Sequence, residues 1–115
     1  MRALVQRVSK ANIKVNEKNI SSINKGLLVL LGIQDTDDES DITWLSNKII
    51  KMRIFEDDNG KMNQSIEDIG GELLIVSQFT LYASTKKGNR PSFINAAHPD
   101  KALPIYQTFV SECNK

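Results

Sequence analysis

Between Gly26 and Gly32 the chain runs Leu27-Leu28-Val29-Leu30-Leu31 without a polar residue, and Ile33 extends the apolar character past the second glycine. Both alternating sides of a strand built from this run are apolar, so it reads as a strand buried on both faces. It is the longest uninterrupted apolar run, and it falls far short of the roughly 20 residues that cross a bilayer. No basic-then-apolar leader is visible at the start, where Arg2 and Arg7 are interleaved with single apolar residues. A chain of 115 residues has material for one core, so residues 1–115 are expected to form a single domain. With 40% apolar and 25% charged residues the composition is that of a globular protein rather than a disordered one. The single cysteine, Cys113, excludes a disulfide framework and any zinc site of paired cysteines, and fits a reducing compartment.

Short alternating stretches surround the central run. Ala3 to Val8, Asn12 to Val15 and Ile20 to Ile23 read as antiparallel strands, with a turn at Asn24-Lys25-Gly26. After the run comes an acidic stretch, Gln34 to Asp41, in which Thr36 and Glu39 have capping-box spacing. Ile42, Leu45, Ile49 and Met52 then mark one face of a helix with Trp44 on its shoulder, and Lys48, Lys51 and Arg53 gather near its C-terminal end. The acids are therefore a helix start rather than a metal site. Asp57 and Asn59 before Gly60 do not make a calcium loop, because Phe55 and Ile66 occupy ligand positions. Arg53 to Phe55 and Lys61 to Asn63 read as strands joined by a primed turn at Asp58-Asn59-Gly60. Glu72 to Tyr82 reads as one strand, apolar from Leu73 to Val76 and alternating from Ser77 onward, with Ser77, Phe79 and Leu81 on one face. A basic loop, Ala83 to Pro91, carries Lys86, Lys87 and Arg90. From about Asp100 the last element is a helix presenting Ala102, Leu103, Tyr106, Phe109, Val110 and Cys113 on one face, with Pro104 in its first turns. The fold class is α+β: mostly antiparallel sheet, barrel-like or two-layer, with two amphipathic helices.

The net charge of +1 hides an uneven distribution. Residues 1–25 carry +5, residues 35–72 carry −7, and residues 73–115 return to +3. A polyanion is accommodated by the two ends of the chain, although ordinary solvated faces produce the same pattern.

Conventional nucleophilic catalysis is poorly supplied. His98 is the only histidine, and its place before Pro99 suits a helix cap or an exposed surface better than a general base. Cys113 falls on the core-facing stripe of the last helix. No phosphate-binding glycine motif and no metal-ligand spacing occur, so neither metal nor cofactor is expected. An enzyme made from these residues works by positioning and by dipoles.

One string is specific. Ser77-Gln78-Phe79-Thr80-Leu81-Tyr82, followed by Thr85-Lys86-Lys87-Gly88-Asn89-Arg90-Pro91-Ser92-Phe93, resembles the D-aminoacyl-tRNA deacylase (D-tyrosyl-tRNA deacylase) family. So do Met1 to Val8, Gly26 to Gly32, Arg53-Ile54-Phe55, Gly60 to Asn63 and Gly71 to Leu74, in the same order along the whole chain. The resemblance implies hydrolysis of the ester joining a D-amino acid, or glycine, to the 3′ end of tRNA, a chiral proofreading step in translation. It implies a cytoplasmic homodimer with aminoacyl-tRNA as partner, and neither DNA nor membrane. Ser77, Gln78, Phe79 and Thr80 match the family's first motif and would line the pocket for the terminal adenosine and the ester. Phe79 fits a core role equally well, with its backbone N–H still able to serve an oxyanion. Thr80 is the one protein nucleophile available; the alternative is assistance by the ribose 2′-hydroxyl, with Thr80 and Gln78 orienting the ester. Arg7 resembles an arginine that braces a Gly-Pro segment, and is otherwise a strand-surface charge. Lys86, Lys87 and Arg90 would contact phosphates, or are solvated loop charges.

The family's second motif, Asn-x-Gly-Pro-x-Thr, is not in this sequence, whose prolines follow Arg90, His98 and Leu103. The expectation is therefore a domain C-terminally short relative to the family. The alternative function is a non-catalytic tRNA- or RNA-binding domain.

Overall fold

The computed structural model describes residues 1–114. Its centre is a three-stranded sheet in the order β1 (Arg2–Val8), β4 (Gly26–Gly32), β7 (Glu72–Ser77). The apolar run is thus the middle strand, antiparallel to β1 and parallel to β7. Gly26 is where β7 comes closest: a Cβ there would lie 1.8 Å from the carbonyl oxygen of Glu72. Two antiparallel hairpins complete the strands, β2 (Ala11–Val15) with β3 (Lys18–Ile23), and β5 (Phe55–Glu56) with β6 (Met62–Gln64). Pairing is mostly antiparallel, as expected, and the parallel β4–β7 ladder is the exception.

The two faces of the sheet differ. Leu27, Val29 and Leu31 are wholly buried and join Ile42, Ile49 and Phe109 in one core. Their partners across the ladders, Ala3 and Val5 on β1 and Leu73 and Ile75 on β7, pack on the same side. Helix α1 (Glu39–Lys51) and helix α2 (Pro99–Cys113) pack together over this face. Leu28 and Leu30 point the other way and are only half-buried, and Leu4, paired with Leu30, is 57% exposed. Burial on both faces is therefore corrected to full burial on one.

Helix α1 is capped two residues beyond the expected box. Asp38 Oδ1 accepts from Ser40 N and Asp41 N, and Asp41 Oδ2 accepts from Asp38 N. The hydrogen bond from the Ser40 hydroxyl, above all, holds the Asp38 carboxyl below its usual range. Asp38 displaces Thr36 because the preceding residue, Asp37, is drawn inward. Asp37 is buried, pairs with the Met1 ammonium at 2.7 Å and accepts from Gln34 N at 2.8 Å.

The turns also differ from expectation. Asn16 and Glu17, both at positive φ, form the primed turn between β2 and β3. In the β5–β6 turn only Gly60 has positive φ, and Asp57 Oδ1 closes the loop by accepting from Asn59 N and Lys61 N. The two strands accordingly lie slightly later than Arg53–Phe55 and Lys61–Asn63. In α2, Ala102, Ile105, Tyr106, Phe109 and Cys113 face the core, while Leu103 is 57% exposed. Burial pushes the Cys113 thiol up to about 11, as befits a packing residue.

Candidate active site

The expected long strand Glu72–Tyr82 divides in two. β7 stops at Ser77 because its partner β4 ends at Gly32; the last ladder bond runs from Gln78 N to Leu31 O at 2.7 Å. Beyond it the backbone closes into a 3-10 helix, Phe79–Tyr82, with Leu81 N donating to Gln78 O. Gly32 permits the turn to sit there: a Cβ would be 3.0 Å from Leu81 Cβ and 3.2 Å from the Tyr82 ring. The strand alternation of Ser77, Phe79 and Leu81 is thereby replaced.

The turn brings the four motif residues to one place. Gln78 Nε2 donates to Thr80 Oγ1. An amide donor leaves the hydroxyl hydrogen of Thr80 free to donate onward, but it removes no proton. No carboxylate or imidazole hydrogen-bonds to Thr80 among the described residues. The Phe79 and Thr80 N–H groups precede the first helical bond of the turn and have no partner within it. Paired backbone donors of this kind are able to serve an oxyanion.

Phe79 is not core. The residue is 56% exposed and its ring meets Phe93 edge to face, with centroids 5.2 Å apart. Together with Ser77, Ile94, Leu103 and Tyr106 these rings line an apolar groove of about 1140 Å³ between the end of β7 and α2. His98 lies on its rim, at the N-cap position of α2, exposed and without a capping hydrogen bond.

The far side of the turn is clamped from β1. Arg2 donates to Leu81 O at 2.8 Å and its guanidinium stacks on Tyr82 at 4.5 Å. Tyr82 itself is buried, and that burial, aided by the charge of Asp37, raises its hydroxyl pKa. Arg2, Tyr82, Ser84, Lys86 and Asn95 line a second, smaller cleft of about 320 Å³. Lys87 and Arg90 are exposed on the same loop, whose base is pinned by two 2.8 Å bonds between Ser84 and Ser92. Arg7 is elsewhere: it donates to Ile54 O at 3.0 Å and pairs with Leu27, whereas Ser77 pairs with Leu31. Four positions along a strand separate them, about 13 Å. Arg2 and Phe93 are the site neighbours that residue-by-residue reasoning missed; both stand within the strings that carry the family resemblance.

The sequence profile of the D-Tyr-tRNA(Tyr) deacylase family matches residues 4–115. This chain belongs to that family. A D-aminoacyl-tRNA deacylase of Cytophaga hutchinsonii is 59% identical over 113 residues, covering 98% of this chain and 75% of the relative. Another, of Flavobacterium johnsoniae, is 56% identical over 115 residues, covering 100% and 77%. Among solved structures, the c-Myc DNA Unwinding Element Binding Protein superposes with a TM-score of 0.93 at 39% identity, covering 98% of this chain and 76% of that one. A probable eukaryotic D-amino acid tRNA deacylase matches at 0.79 and 20% identity over 96% and 65%, a likeness of fold. Within the deacylase family's fold, then, the Ser77–Thr80 segment is a turn at the open end of the central sheet.

Proposed function

We propose that the chain hydrolyses the ester bond of D-aminoacyl-tRNA. Its membership of the D-Tyr-tRNA(Tyr) deacylase family, through a match over residues 4–115, carries this reading. The Ser77–Thr80 turn supports it by offering two backbone N–H donors, a hydroxyl and an amide beside an open groove. In this reading the Phe79 and Thr80 N–H groups hold the developing oxyanion, Gln78 fixes the Thr80 hydroxyl, and Thr80 orients the ester for attack assisted by the ribose 2′-hydroxyl. Lys86, Lys87 and Arg90 meet the tRNA phosphates, and Arg7, bonded to Ile54 O, supports the site through the sheet. No helix among the described residues is long and apolar enough to cross a membrane. A cytoplasmic homodimer is part of the proposal, supported by the half-covered sheet face around Leu4, Leu28 and Leu30. The test is parallel incubation with D-tyrosyl- and L-tyrosyl-tRNA. Faster release of D-tyrosine is expected; equal rates, or release of neither, overturn the proposal.

A further inference from the structure

The only tryptophan of the chain, Trp44, is 64% exposed on α1. The buried stripe of this helix is Ile42, Ser46 and Ile49, so packing makes no use of the ring. It lies in a shallow trough of about 810 Å³ along the outer face of α1, lined also by Asn47, Lys48, Lys51 and Arg53, with Glu39 at the opposite end. The Lys48 ammonium stands 5.4 Å from the ring centroid. Lys48 and Lys51 complement the helix C-terminus, and Arg53, just beyond it, donates to Asn63 Oδ1 at 3.3 Å while remaining on the wall of the trough. An exposed indole with a cation over one face and two more beside it suits an unpaired nucleobase with its phosphates: the base stacks on the ring while the cations take the backbone. A protein partner seated on Trp44 alone has no need of that charge.

The trough also lies along a helix that begins near the candidate site. The start of α1 adjoins the 3-10 turn of the candidate site: Asp37, two residues before the helix, pairs with the Met1 ammonium at 2.7 Å, and the next residue, Arg2, donates to Leu81 O in the turn. From there its 13 residues lead away for about 20 Å. We propose that the outer face of α1 is a second RNA-contact surface, on which Trp44 stacks an unpaired base of the bound tRNA and Lys48, Lys51 and Arg53 hold the adjoining phosphates. This rests on the reading of the chain as a tRNA deacylase.

Because Trp44 is the sole tryptophan, its fluorescence reports on this surface alone. Titration with deacylated tRNA is expected to quench it saturably. Binding of end-labelled tRNA, followed by anisotropy, should weaken about 5- to 150-fold in Trp44→Ala and recover most of that loss in Trp44→Phe. Lys51→Ala should flatten the slope of log affinity against log salt by roughly 0.7 to 0.9. A tRNA trimmed of its unpaired 3′ end separates two sources of the base: loss of quenching assigns it to the 3′ end, retained quenching to a loop, and both support the surface. Unquenched fluorescence at saturating tRNA, or unchanged affinity in Trp44→Ala, overturns the proposal and leaves the face to a protein partner. Hydrolysis of a D-tyrosyl ester of adenosine by the wild-type protein separates the two readings. Turnover without quenching sinks only the α1 surface, and quenching without turnover sinks only the deacylase.

Discussion

Thr80 carries the sharpest question at the scale of single residues. Its hydroxyl receives a hydrogen bond from the Gln78 amide, and no base stands beside it among the described residues. Thr80→Ala should therefore slow hydrolysis of D-aminoacyl-tRNA by about 10- to 100-fold, the cost of removing one orienting bond. Replacing the terminal 2′-hydroxyl of the tRNA by hydrogen should cost more. The reverse order, with a burst of covalent acyl-enzyme on the wild type, would make Thr80 the nucleophile. Cys113 poses a different test. Burial first, and the neighbouring Glu112 charge second, raise its pKa from 9.0 to about 11. The folded protein therefore holds this proton more tightly than the unfolded chain, so stability falls as pH rises through the window from 9 to 11. A thiol reagent at pH 8 should label native protein far more slowly than protein in denaturant, and equal rates would show the thiol to be accessible and unperturbed.

Among the elements, the loop from Ala83 to Pro91 is built to present charge. The Ser84–Ser92 bridge closes its base, and Gly88, at a φ of 143°, shapes its tip. Lys86 faces the cleft beside Arg2, while Lys87 and Arg90 point to solvent. Changing all three to alanine should weaken binding to every tRNA alike, whatever its amino acid. The salt slope should flatten by roughly 0.7 to 0.9 for each phosphate that the variant no longer neutralises. An unaltered slope in the triple variant would return these residues to plain solvation.

At the scale of the molecule, the sheet is covered by helices on one face and left half-open on the other. Leu4 at 57% exposure, beside Leu28 and Leu30, leaves an apolar surface of the kind that association covers. The wild type should sediment as a dimer at micromolar concentration. Leu4→Lys, which alters a side chain that the isolated subunit leaves exposed, should shift it toward monomer. A wild-type protein that sediments as a clean monomer would count against the homodimer.

What could be read from the sequence were the features whose causes are local. The apolar run from Leu27 to Leu31 reads as a buried strand, the spacing of Ile42, Leu45 and Ile49 as one face of a helix, and the motif strings as the family. The tertiary structure decided whatever depended on a partner distant in sequence. Ser77 to Tyr82 alternates like a strand, yet it turns after Ser77 because β4, its hydrogen-bonding partner, has ended. Asp38 rather than Thr36 caps α1 because the Met1 ammonium, 36 residues away, draws Asp37 into the interior. Arg2 reaches the site turn across 79 residues for the same reason. Periodicity records which side of an element is apolar, whereas the end of a ladder and the partner of a buried charge are set by chain segments that meet only in the fold.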